Sequence, residues 1–589
     1  MKAELTEDYM VEKAAINWIK SLGYSYIHGS KLTPENEERD SLRDVVLKRR
    51  FVEAVKRINP LLRDDEAEMV YKKVTELDHP DFMIKSKMFY DMLVNGVKLA
   101  IREDGKKKTR IVKIMDFENL DNNEFLVANQ FEVEFQFQNG IYRRPDMVIF
   151  VNGLPLLIFE FKGFNAGETA KDAFYDHQVK KEDIPQLYTY AQILVASDGL
   201  ETKYGSVSSD WERFFVWEGI FSDDDVKARK IGERHYTYTY KGKQITSLEL
   251  LIKGLFRKEH LSEYILDFVI YEKSGENYIK KIAMFQQFYA VRKAIERTKK
   301  AVIEGKNPME KRIGVIWHTQ GSGKSLTMLF YAKKLIKIKE FENPLLLFIT
   351  DRKDLDEQLY KETFAPVLSI VKRAKSIADL QNIIKTEAGG IVFTTIQKFG
   401  KKKEEEYPLL TKRHNIIVIA DEAHRSQYRE LAMNLRRAIP NASFIGFTAT
   451  PIELQDRSTT LVFGDYISIY SMTTARRHEV VVPIYYEARL PELHLTNEFI
   501  DEEFEQLTEG DKPVNRALFR KLQEKVLKAE DRLEKIAKDI VEHFNKRTKE
   551  LKGKAIIAVI SRRVAVSLYK KIIKQRNAPS IAAVISGNK

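Results

Sequence analysis

The sequence contains no cysteine. It therefore has no disulfide framework and no thiolate-ligated zinc or iron–sulfur site, so any catalytic metal must sit on oxygen or nitrogen ligands. It also lacks an apolar run near the roughly 20 residues that span a bilayer. Residues Met1 to Lys20 include acidic side chains and are followed by no apolar stretch, which is unlike a secretory leader. The expected compartment is the cytoplasm. There is no internal repeat, and the one low-complexity tract is the charged run Lys401 to Glu406, which reads as a solvated loop.

A length of 589 residues exceeds one hydrophobic core and implies roughly three or four domains. With 98 basic against 86 acidic residues the net charge is +12, which favours a polyanionic partner but does not name one. The Lys/Glu-rich composition also fits a thermophile.

Apolar residues Val11, Ala15, Trp18 and Leu22 recur at helical spacing and predict a first helix over Glu7 to Leu22. Two apolar runs, Met147 to Val151 and Leu156 to Phe161, flank Asn152-Gly153 and predict a hairpin. Beyond about residue 275, short buried strands alternate with helical stretches, as in a parallel sheet with crossover helices. The expected strands are Gly314 to Trp317, Leu345 to Ile349, Ile391 to Thr394, Ile416 to Ala420 and Phe444 to Phe447. Pro513 to about Arg547 reads as helical, and Ala555 to Ile560 as a strand opening another strand–helix–strand unit.

His318-Thr319-Gln320-Gly321-Ser322-Gly323-Lys324-Ser325 follows the strand ending at Trp317 and opens a helix. That is the setting of a phosphate-binding loop. Backbone N–H groups close around phosphate oxygens, Lys324 meets the β- and γ-phosphates, and the Ser325 hydroxyl ligates Mg²⁺. His318 stands where the pattern normally has glycine. Downstream, the strand Ile416 to Ala420 runs into Asp421-Glu422-Ala423-His424, placing Asp421 to hold Mg²⁺ and Glu422 to polarise the attacking water. Thr448-Ala449-Thr450 ends a third strand and could relay the nucleotide state.

Asp146 opens the predicted hairpin, and Glu160-Phe161-Lys162 lies on its second strand. Side chains alternate along a strand, so Glu160 and Lys162 share a face, with Asp146 beside them. Two carboxylates can hold Mg²⁺, and the lysine can orient or deprotonate the water that attacks a phosphodiester. Alone, Glu-x-Lys reads first as a cross-strand salt bridge. Its context is Arg144-Pro145-Asp146, the turn Asn152-Gly153-Leu154-Pro155, and Gln186-Leu187-Tyr188-Thr189-Tyr190.

The motor set resembles the superfamily 2 helicases, with their DEAH box and following threonine motif. On that resemblance Gln287 reads adenine, and Arg352, Lys353, Thr394, Thr395 and Gln397 touch the DNA backbone. Such contacts position a protein without reading sequence. The upstream set resembles the PD-(D/E)xK nucleases in the form carrying a Q-x-x-x-Y element. Together with Arg425-Ser426-Gln427-Tyr428 after the DEAH box, the whole chain is similar to the restriction (R) subunit of type I restriction–modification enzymes. The resemblance implies active-site support from Gln186 and Tyr190, and an acidic metal ligand from the first helix, for which Glu12 is the position. Its implied cofactors are ATP and Mg²⁺, with S-adenosylmethionine expected on the partner complex. Its implied partners are double-stranded DNA and the modification and specificity subunits.

The expected fold is α/β: a PD-(D/E)xK endonuclease domain over 1–260, a first RecA-like ATPase domain over 261–470 and a partial second one over 471–589. No arginine-bearing Q-x-x-G-R-x-x-R-like stretch occurs between Pro483 and Lys589. The expectation is a C-terminally shortened form that binds ATP and hydrolyses it poorly alone. Competing functions are a stand-alone superfamily 2 translocase with a structural hairpin, a non-catalytic ATP-gated DNA-binding subunit, and a type III-like restriction subunit, in which the nuclease usually follows the motor.

Overall fold

Two β-sheets organise the chain, and their central strands are apolar on both faces, as sheets covered on both sides require. The structure is a computed structural model that describes residues 7–103, 106–136, 138–163, 167–231, 235–351, 356–357, 359–400, 407–421, 428–450, 458–487, 530–550 and 552–585. The chain divides into two units, Met1–Val482 and Pro483–Lys589.

In the first unit, helix α1 (Glu7–Ser21) precedes a six-stranded sheet. Its strands are β1 (Ser25–His28), β2 (Phe125–Asn129), β3 (Met147–Val151), β4 (Leu154–Phe161), β5 (Ile193–Ser197) and β6 (Thr202–Gly205), ordered β1-β2-β3-β4-β5-β6. All eight residues of β4 are buried. The β3–β4 pair is the expected hairpin, in register Met147 to Phe159 and Val151 to Leu154, with a bulge between Ile149 and Phe150. Its turn residues Asn152 and Gly153 have φ of 52° and 75°, both left-handed, which suits a two-residue turn joining twisted strands. The β4–β5 pairing is parallel, and helix α2 (Ala170–Asp183) makes the crossover between them.

The second sheet comprises β7 (Arg312–His318), β8 (Leu345–Thr350), β9 (Val371–Arg373), β10 (Gly390–Thr395), β11 (Ile416–Asp421), β12 (Ser443–Thr448) and β13 (Tyr466–Tyr470). Their order is β9-β10-β8-β11-β12-β7-β13, and every pairing is parallel. All five strands expected from the apolar runs are present. Helix α3 (Phe285–Lys299) precedes this sheet, and helix α4 (Lys324–Leu335) follows β7. One hydrophobic core runs through both sheets, from Ala15 through Phe159 and Tyr264 to Phe330 and Ala475.

In the second unit, helices α5 (Glu530–Glu550) and α6 (Arg562–Ile572) pack Leu533, Ala537 and Val541 against Val564, Leu568 and Ile572. The expected strand at Ala555 to Ile560 is not formed. Among the described residues no neighbour supplies a ladder to this segment, and Ile556 and Ile560 are largely exposed. The C-terminal part of the expected helix is α5, while residues 513–529 lie outside the described residues.

The hairpin turn gives a direct stability test. A Cβ at Gly153 would sit 2.6 Å from the Leu47 carbonyl oxygen at a φ of 75°, whereas one at Gly140, φ 73°, would meet nothing within 4 Å. Gly153→Ala should lower the urea midpoint of the first unit, at a cost of about 2 kcal/mol or more, and Gly140→Ala should cost less than about 1 kcal/mol.

Candidate functional site

The first cluster forms where the hairpin meets helix α2. Glu160, the next-to-last residue of apolar strand β4, has no solvent exposure. One of its oxygens, Oε2, accepts from Lys180 Nζ at 2.5 Å, and Lys180 also donates to the Arg144 carbonyl at 3.0 Å. Its other oxygen, Oε1, is buried and has no hydrogen-bond partner. Asp146 immediately precedes β3, and its Oδ2 accepts from the Phe161 N–H at 2.6 Å. Burial raises the pKa of Asp146. Burial, then the neighbouring Asp146 charge, raises that of Glu160 well above the carboxylate range. A buried carboxylate oxygen without a donor, beside a second carboxylate, suits a hard divalent cation such as Mg²⁺.

Lys162 lies one residue past β4 and pairs with Asp176 at 2.9 Å and Glu168 at 3.3 Å. Burial works against its charge, but the Asp176 hydrogen bond and the two carboxylates hold its pKa above the usual lysine value. Glu12, on α1, is buried, and its two oxygens accept from Asn129 Nδ2 at 2.5 Å and Gln130 Nε2 at 3.1 Å. Its pKa is raised by burial, with Asp146 adding to the shift. Glu12, Asp146 and Glu160 do not bring one ligand atom each within 4.8 Å of one another. Asp198, Glu201 and His235 do. There, however, Asp198 accepts from the N–H groups of Leu200, Glu201 and Ala170, and Lys203 stands 3.4 Å from Glu201.

Gln186 and Tyr190 have hydrogen-bond partners on other elements. Gln186 Nε2 donates to the Glu134 carbonyl at 2.8 Å. Tyr190 donates to the Val74 carbonyl at 3.1 Å and packs edge-on against Phe89, with ring centroids 4.7 Å apart.

The second cluster lies at the C-terminal edge of the parallel sheet, where open α/β sheets bind ligands. Strand β7 ends at His318, and the loop Thr319-Gln320-Gly321-Ser322-Gly323 leads into α4 at Lys324 and Ser325. Gly321 and Gly323 have φ of 83° and 80°, and a Cβ on Gly323 would lie 2.7 Å from Gln287 Nε2. The loop thus needs glycine there, and the Ser322 N–H closes it by donating to the Thr319 carbonyl at 3.3 Å. Ser322 Oγ donates to the Thr319 carbonyl at 2.5 Å. Gln320 and Ser325 are exposed, and Lys324 is half-buried. Asp421 ends β11, two strands from β7, with Thr448 at the end of β12 between them.

Gln287 is buried. Its Oε1 accepts from Met284 N at 2.8 Å and its Nε2 donates to the Gly323 carbonyl at 2.9 Å, so it braces the loop. Thr394 and Thr395 are buried at the end of β10. Gln397 is exposed, with Nε2 on the Asp351 carbonyl at 2.7 Å. Glu422, Arg352 and Lys353 lie outside the described residues.

Comparison with known proteins follows the same division of the chain. Residues 4–213 match the type I restriction enzyme R protein N terminus family, and residues 286–517 match the SWI2/SNF2 ATPase family. The chain is 60% identical, over its whole length, to a Methanocaldococcus jannaschii protein assigned as the type I restriction enzyme MjaIXP endonuclease subunit, covering 56% of that protein. Across 96% of its length it is 38% identical to the type I restriction enzyme HindI endonuclease subunit of Haemophilus influenzae, covering 54% of it. The chain belongs to the type I restriction R-subunit family. It spans about half the length of the curated relatives it matches.

This R-subunit chain places further groups beside Glu160 that its motifs do not single out. Lys180 and Asp176, four residues apart on α2, pair with Glu160 and Lys162. Tyr188 is fully buried near both carboxylates, and its hydroxyl lies 3.2 Å from His177 Nδ1. The i, i+4 spacing of Asp176 and Lys180 was visible in the sequence, but such pairs are common on solvated helices. Beside the loop Thr319 to Gly323, His318 is fully buried, with Nε2 3.1 Å from Ser468 Oγ. Among the described residues no helix is long and apolar enough to cross a membrane.

Burial pushes both His177 and His318 down to about 3, so both are neutral at pH 7. The unfolded chain takes up these protons near pH 6.5 and the folded chain does not. Stability should therefore fall as pH drops from about 6.5 toward 3. Stability profiles should show His177→Gln losing less per pH unit than wild type across pH 6 to 4, by up to about one proton's slope.

Proposed function

We propose that this chain carries the nuclease and the ATP-driven motor of a type I restriction enzyme. The observation that carries the nuclease half is the buried pair Asp146 and Glu160, with Glu160 Oε1 lacking any donor. Asp146 and Glu160 would hold Mg²⁺, with Glu12 bracing the site from α1 through Asn129 and Gln130. When bound, the ion would supply Lewis-acid stabilisation of the phosphodiester and a lowered pKa for attacking water. Lys162, held above the usual lysine pKa by Asp176 and Glu168, stays cationic and orients water or the scissile phosphate rather than abstracting a proton. Gln186 and Tyr190 would support the site by tying the segment before β5 to the Glu134 and Val74 carbonyls.

For the motor, the N–H groups of Gly321 to Ser325 would wrap the ATP phosphates. Lys324 would neutralise the β- and γ-oxygens, and Ser325 with Asp421 would hold the nucleotide's Mg²⁺. Glu422 is assigned to the attacking water. Gln287 would report adenine to the loop it braces. Arg352, Lys353, Thr394, Thr395 and Gln397 are assigned to the DNA backbone, and a DNA contact by Thr394 or Thr395 requires the buried end of β10 to open. The proposed assembly works in the cytoplasm. Modification and specificity subunits recognise the DNA site, and this chain pulls flanking duplex and cuts it.

The test is plasmid cleavage by the complete subunit reconstituted with its partner subunits, ATP and Mg²⁺. Lys162→Ala should lose cleavage on the order of 10²-fold or more while still consuming ATP, and Lys324→Ala should lose both to a similar degree. Wild-type cutting by both variants would overturn both assignments.

A further inference from the structure

Helix α2 presents Asp176 and Lys180 to strand β4 from successive turns, as the i, i+4 spacing dictates. They meet the strand in crossed pairs, Lys180 with Glu160 and Asp176 with Lys162. The Lys180 side chain is 15% exposed and the Glu160 side chain 0%, so this is an interior pair and not a surface one. Lys180 is tied down a second time by the carbonyl of Arg144, two residues before Asp146. Its ammonium is thus fixed between both segments that carry the carboxylates.

The two oxygens of Glu160 are used differently. Oε2 already holds a cationic group, while Oε1 is buried without a donor. A carboxylate bridging two cations is the arrangement of two-metal phosphodiester hydrolysis, in which ions about 4 Å apart stabilise the attacking and leaving oxygens. We infer that Lys180 supplies the second positive charge of this centre, so that the site takes a single divalent ion, on Glu160 Oε1 and Asp146. The inference rests on the nuclease reading above. Lys180 is a positioning residue in it: it neutralises Glu160, keeps Oε1 turned to the ion, and keeps a second ion out.

The test counts divalent ions. The 589-residue chain without nucleotide is titrated with Mn²⁺, free ion is followed by electron paramagnetic resonance, and the ions of interest are those lost in Glu160→Gln. The expected result is one Glu160-dependent ion in wild type and in Lys180→Arg, and two in Lys180→Ala, where the vacated space and the second oxygen admit another. One ion in a folded Lys180→Ala, at any affinity, overturns the role of Lys180 and leaves the nuclease reading intact. Two Glu160-dependent ions in wild type overturn it without any Lys180 variant. If Glu160→Gln binds Mn²⁺ as wild type does, the nuclease reading itself fails.

Discussion

A carboxylate with no exposure at the end of a wholly apolar strand is the constraint around which the first sheet is arranged. Ionised and unpaired, Glu160 would cost several kcal/mol or more. The structure meets that cost locally: the crossover helix delivers Lys180, Phe161 N–H takes Asp146, and the Arg144 carbonyl anchors the lysine. This requires the β4–α2–β5 crossover, which brings Lys180 to Glu160, and the tight turn at Asn152-Gly153, which keeps Asp146 beside the end of β4. A carboxylate pair assembled this way is held in place by core packing.

The same core extends to the loop Thr319 to Gly323, and it buries further lysines. Lys280, almost fully buried, donates to the Ala191 carbonyl and Gln192 Oε1, both at 2.7 Å, just after the Q-x-x-x-Y element. Lys333, on helix α4, donates to the Tyr90 hydroxyl and the Val269 carbonyl, and burial lowers it to about 7. Phe89, next to Tyr90, packs on Tyr190. Such pairings are expensive to break, since each leaves a buried donor or acceptor unmatched. They fasten the two sheets of the first unit more firmly than a flexible linker would.

Much of this was legible in the sequence because the signals were local. The hairpin followed from Asn152-Gly153 between apolar runs, and the parallel strands from short apolar segments ending in Thr448 or Asp421. The loop from His318 to Ser325 fell between a strand and a helix, as its glycines require. What was not legible depends on long-range packing. Lys180 and Asp176 look like a solvated helix face until the crossover turns them inward. The brace that Gln287 forms, with its amide bonded to Met284 and Gly323, likewise depends on a loop 36 residues away. The strand expected at Ala555 to Ile560 has no pairing partner among the described residues, and a strand's identity lies in its neighbour as much as in its residues.

The central claim is that Asp146 and Glu160 are a metal centre. Anomalous scattering from crystals of this chain soaked in Mn²⁺ tests it most directly. The account predicts a manganese peak about 2.2 Å from both Glu160 Oε1 and an Asp146 oxygen. A fully loaded crystal with no density there, and manganese only between Asp198, Glu201 and His235, would contradict it.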